Sequence, residues 1–172
     1  MKYLAENPQV VITLIIGVVG LIITWWFSQN NLKIAHQKME KELFSEFNKK
    51  YDELNDKLKV IFDNTQVNDK TTLNGLKKLN FKIKEEEIFP EIVLIDYFNL
   101  CAEEYYWRNK KRVSKKIWLS WQAGMKSYYR YCFVRELWEK EVSDFGYQSY
   151  YLKEGQSFFD DKIKTPKDNS MV

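Results

Sequence analysis

One histidine, two cysteines, three prolines and six glycines in 172 residues leave little of what most active sites and most β folds are built from. His36 has no second imidazole to share acid–base work with, and the chain contains no glycine-rich phosphate loop, GxSxG elbow or CxxC pair. Cys101 and Cys132 are too few and too far apart in sequence to make a metal site with His36. They fall inside apolar helical patterns, where two separated cysteines read as reduced, buried thiols. No enzymatic activity, cofactor or metal is expected. Glu103 and Glu104 invite a catalytic reading, but adjacent residues of a helix point about 100° apart and do not converge on one site. A buried Glu103 that holds a neighbouring Tyr or Trp donor is the structural role expected of that pair.

Scarce turn formers together with abundant Lys and Glu argue for long helices and against a many-stranded sheet. The expected architecture is all-α: a membrane anchor at residues 1–28, a juxtamembrane amphipathic helix at 29–63, a small antiparallel helical domain at 64–162 and a frayed tail at 163–172.

The anchor is Val10 to Phe27, "VVITLIIGVVGLIITWWF", 18 residues without a charge. At about 1.5 Å per residue the run approaches the thickness of a bilayer's hydrocarbon. Pro8 suits a first helical turn with Asn7 as its cap, and Trp25 and Trp26 sit where an aromatic belt meets headgroups. The run is longer than the apolar core of a signal peptide, and "TWWF" replaces the small residues a signal peptidase needs. Lys33, Lys38 and Lys41 outweigh Lys2 across the span, which orients the C-terminal domain to the cytoplasm. Within it Thr13, Gly17, Gly20 and Thr24 line one face, the spacing that lets two membrane helices approach closely and hence self-associate.

Beyond the anchor, Leu32, Ala35, Met39, Leu43, Phe47, Tyr51, Leu54, Leu58 and Ile61 recur at steps of three and four, an amphipathic helix. The polar stretch Asp63–Gly75 predicts a loop. "LNFKIK" alternates as a strand does, but without an evident partner it reads as helix or irregular chain. Pro90 opens a helix to about Asn109, and Ser114 caps another that carries Trp118, Trp121, Met125 and Cys132 inward and runs on to about Val142, with Gly124 as a kink site. "QSFFDDKIK" predicts a short final helix docked through Phe158 and Phe159.

Net charge is +3, yet residues 105–135 hold nine basic side chains and no acidic one. Arg108, Lys110, Lys111, Arg112, Lys115 and Lys116 form a basic surface around the turn between two helices. If the domain returns antiparallel to the juxtamembrane helix, this turn approaches anionic lipid headgroups, which attract each Lys or Arg by about 1 kcal/mol at close range. Nucleic acid is not the expected partner, because Trp118 and Trp121 fall at core spacing and leave few rings to stack on bases.

"DYFNLCAEEYYW" (Asp96–Trp107), a short basic turn and "VSKKIWLSWQAGM" (Val113–Met125) resemble a bacterial domain-of-unknown-function family of single-pass membrane proteins with a small helical cytoplasmic domain. The resemblance covers about Ile88 to Tyr147 and rests on aromatic packing motifs; the turn here is more basic than in the family pattern. It implies a helical fold and the inner membrane of a bacterium, and carries no catalytic residue across. The function expected is a membrane-anchored cytoplasmic interaction or scaffold protein that recruits a protein partner or assembles with itself. The alternative is a membrane-perturbing effector of host-defence or toxin type that acts on oligomerisation.

Overall fold

The computed structural model describes residues 8–65 and 71–159. Five α-helices carry most of them: α1 Pro8–Asp63, α2 Leu73–Leu76, α3 Pro90–Asn109, α4 Lys115–Tyr129 and α5 Cys132–Phe145, with a 3-10 turn at Tyr147–Tyr150. Two short strands, β1 Phe81–Ile83 and β2 Glu86–Ile88, pair antiparallel. The chain divides into two compact units, Met1–Lys41 and Glu42–Val172, and the division falls inside α1.

In the first unit the apolar run forms one face-to-face exposed helix. None of its most apolar window is buried, and it is the one described helix long and apolar enough to cross a membrane. Thr13 Oγ1 donates to Gln9 O at 2.9 Å and Thr24 Oγ1 to Gly20 O at 2.8 Å, so both hydroxyl donors are satisfied within the helix.

In the second unit the core is aromatic. Leu43, Phe47, Leu58, Ile61 and Phe62 of α1 are buried, and Phe62 packs on Tyr128 at 4.4 Å between ring centroids and on Tyr131 and Phe133. Trp138 of α5 meets Phe158 at 4.8 Å and Tyr150 at 4.9 Å, and Phe159 stacks on Tyr129 at 4.3 Å. Tyr150 donates to the buried Glu141 Oε2 at 2.7 Å, which gives each polar group of that pair a partner. Gln122 Nε2 of α4 donates to Phe158 O at 3.2 Å and fixes the segment that delivers the two phenylalanines.

Helix boundaries follow local chemistry where the sequence carries it. Pro90 stands at the first turn of α3, and Ser114 accepts from Ile117 N to cap α4. Thr72 caps α2 by accepting from Gly75 N, and Glu136 Oε2 of α5 accepts from Leu73 N at 2.7 Å, which docks that one-turn helix.

Four expectations are corrected. The domain is mostly helical rather than all-α, because "LNFKIK" finds its strand partner five residues on: Phe81, Lys82 and Ile83 pair with Ile88, Glu87 and Glu86. The long helix from Ser114 is two helices, since Tyr131 is extended at ψ 136°. Arg135 Nη1 donates to Tyr129 O and Arg130 O and so satisfies carbonyls at the end of α4, while Tyr131 packs on Phe62. Gly124 lies within an unbroken α4. Phe158 and Phe159 are buried as expected, but in turns and not in a helix. Asn7, Lys2, residues 66–70 of the polar loop, residues 160–164 and the tail lie outside the described residues.

Candidate functional site

The four residues of the small-residue stripe are all exposed, and a Cβ added at Gly17 or Gly20 would meet nothing within 4 Å. The stripe is therefore bare backbone and back-bonded threonine, a surface without side-chain relief along one side of the helix.

Of the basic surface, Lys110, Lys111, Lys115 and Lys116 are exposed and Arg112 is half-buried. Arg108 is withdrawn from it: the side chain is buried, and Nη1 donates to Val113 O at 3.0 Å. Its role is to pin the turn from within, a change of place that follows from its position on the inward face of α3 beside Tyr105. The turn itself is a Schellman closure. Lys111 N donates to Arg108 O and Arg112 N to Trp107 O, with Lys111 at φ 56° in the place usually held by glycine. Lys110 Nζ lies 5.3 Å from the centre of the Tyr106 ring, a cation–π contact on the outer side.

The two glutamates of α3 take opposite environments, and the buried one is not the one expected. Glu103 is half-exposed and forms an ion pair with Lys50 of α1, which also reaches Glu46. The Lys50 pKa is raised by its hydrogen bond to Glu103. Glu104 is only 6% exposed, accepts no hydrogen bond and joins no ion pair among the described residues. Burial, and secondarily the charge of Glu103, push its pKa up to about 8.

Glu104 lines a cavity of about 250 Å³. Tyr97 and Glu104 of α3 and Met125 of α4 are its buried wall. Tyr51 of α1 and Trp121 of α4 are half-buried sides, and Gly124, exposed, stands at its outer edge. Tyr51 and Tyr128 share a hydrogen bond at 2.8 Å, and the Tyr51 and Tyr97 ring centroids lie 6.5 Å apart. Trp121 is held edge-on by Phe47 at 5.5 Å. Burial raises the Tyr97 phenol and the neighbouring Cys101 thiol well above their ordinary ranges, so both stay protonated. Cys101 and Cys132 are unbridged.

A second concavity, about 200 Å³, lies between the hairpin and the start of α3. Ile83, Ile88 and Val93 line it, Glu86, Glu87 and Asp96 stand around it, and Phe89 and Ile92 are exposed at 57% and 58%. Among the described residues no three His, Cys, Asp or Glu side chains gather as metal ligands.

Neither the carboxyl-lined cavity nor the groove was visible in the sequence, and the run of Glu85, Glu86 and Glu87 was the nearest signal to the groove. No family model matches the chain, no curated protein matches it and no solved structure matches it. The family resemblance over Ile88 to Tyr147 rests on its own residues.

Proposed function

We propose that the chain is a single-pass membrane protein whose helical domain, on the cytoplasmic side, recruits a protein partner to the bilayer. The observation that carries this reading is the exposed apolar run. Thirteen large apolar side chains between Val10 and Phe27 are exposed. At about 1.5–3 kcal/mol for each such side chain taken out of water, a bilayer gains tens of kcal/mol from this helix, while the second unit keeps a complete core of its own. Orientation follows the excess of Lys33, Lys38 and Lys41 over Lys2.

The groove beside Phe89 and Ile92 supports the recruiting role. Its apolar floor and its rim of Glu86, Glu87 and Asp96 fit a partner segment that sets an apolar side chain between Lys or Arg residues. Fractionation tests the anchor: the protein should stay in the carbonate-washed membrane pellet with residues 1–28 intact by mass, and protease outside intact cells should leave the domain whole. A soluble product that begins after residue 28 overturns the anchor. A photo-cross-linker at Ile92 should trap a partner through a basic segment, and Glu86→Lys with Glu87→Lys should abolish the adduct. Depolarisation of cells on overproduction, with no such adduct, would favour the membrane-perturbing effector instead.

A further inference from the structure

We infer that the cavity walled by Glu104, Tyr51, Tyr97 and Trp121 is a binding site for a small organic cation, an alkylammonium or quaternary ammonium head. Its failure would leave the anchor and groove untouched, since it uses neither. Three features of the geometry point the same way. Glu104 is a buried carboxyl without a protein partner, and a buried acceptor that nothing satisfies is costly unless a ligand completes it. The surrounding rings present π faces and edges, and aromatic walls around an acidic group are the arrangement that holds ammonium cations when water is excluded. The volume fits a compact ligand: a cavity of roughly 150 Å³ accepts benzene, so about 250 Å³ has room for a trimethylammonium head with a short tail.

The charge balance is explicit. In the empty site the carboxyl holds a proton up to a pH of about 8. A permanent cation enters, the carboxyl O–H proton leaves to solvent, and a contact between carboxylate and cation takes its place. The groups that face Glu104 do not compete in this range. Tyr97 and Cys101 on its own helix stay protonated, as does Tyr128 of α4 through burial and its bond to Tyr51 of α1. Lys50 of α1 is committed to Glu103 and Glu46.

The test is calorimetric titration of the full chain in a neutral detergent with tetramethylammonium, choline and methylammonium, and with the neutral carbon isostere of choline as control. At least one cation should bind in the millimolar range or better and the isostere should not. Affinity for a permanent cation should fall about tenfold for each pH unit below about 8. Glu104→Gln keeps the shape and should weaken binding about tenfold or more at about pH 9. Gly124→Leu, at a position where an added Cβ meets nothing within 4 Å, should obstruct the cavity edge and abolish binding while the melting temperature holds or rises. No binding by any of the three cations, equal binding of the isostere, or unchanged binding by a folded Glu104→Gln variant would each overturn the assignment.

Discussion

Lys50 of α1 and Glu103 of α3 close an ion pair across two helices, and that contact decides which way the neighbouring glutamate faces. With Glu103 turned out to meet Lys50, the helical rotation of about 100° carries Glu104 into the interior. The pair is 40% and 44% exposed, so its own worth is small, at most about 1 kcal/mol. Its consequence is larger, because it leaves a carboxyl in a low-dielectric wall with no cation of the protein beside it.

That placement makes stability depend on pH. Glu104 rises from an ordinary 4.5 to about 8 in the folded protein, so between those values the folded state binds a proton that the unfolded state has lost. Stability therefore falls as pH rises through this window, by at most about 1.4 kcal/mol per unit, and levels off above it. Denaturant midpoints measured from about pH 5 to about pH 9 should show this decline in the natural protein and lose most of it in Glu104→Gln. A slope identical in both would place the titration elsewhere.

The Trp138 cluster predicts where truncation is costly. Phe158 is fully buried against Trp138, Tyr150 and Phe159, and no neighbour is a flexible side chain able to fill its volume. Phe158→Ala should lower stability by about 3–5 kcal/mol, whereas Phe145→Ala, at a side chain 66% exposed, should stay within roughly 0.5 kcal/mol. Urea denaturation of the two variants provides the comparison.

The basic turn stores backbone strain. Lys111 sits at φ 56° to complete the Schellman closure of α3, where a side chain costs about 1–2 kcal/mol and glycine recovers part of that against its greater freedom when unfolded. Lys111→Gly should stabilise the protein by about 0.5–1 kcal/mol, and Lys111→Ala, which keeps the Cβ, should not. Thermal melts distinguish the two, and a gain from both would assign the effect to relief of charge repulsion.

The same positions mark what a sequence can and cannot disclose. The long helix, the Pro90 start and the Ser114 cap were legible because each has a local cause: an uncharged run, a fixed φ, a side-chain acceptor. The hairpin was not, because its two-residue turn is Lys84-Glu85 and not Asn-Gly, and Lys84 takes φ 56° under tertiary constraint. The break at Arg130 and Tyr131 has no glycine or proline to announce it; Arg135 and the ring of Phe62 impose it from other turns. Glu104 was hidden for a different reason. Buried residues of α3 include Val93, Leu94, Tyr97, Phe98, Leu100, Cys101 and Ala102, so the helix is enclosed on several faces and periodicity cannot say which glutamate goes in.

The stripe on the membrane helix offers the cleanest single substitution. Both threonine hydroxyls are satisfied by carbonyls of their own helix, and the two glycines have open space where a side chain would begin. A leucine at Gly17 therefore meets nothing in the isolated helix and favours its formation, so any loss it causes must come from a second helix held off at close range. Gly17→Leu should sharply reduce cross-linked dimer in a neutral detergent while insertion and expression persist. Ile22→Leu, on the opposite side of the same helix, should leave the dimer yield unchanged, because 22 lies about half a turn from the stripe. Equal yields from Gly17→Leu and the natural protein would remove the stripe from the association, and equal losses from both variants would show a general effect of apolar bulk.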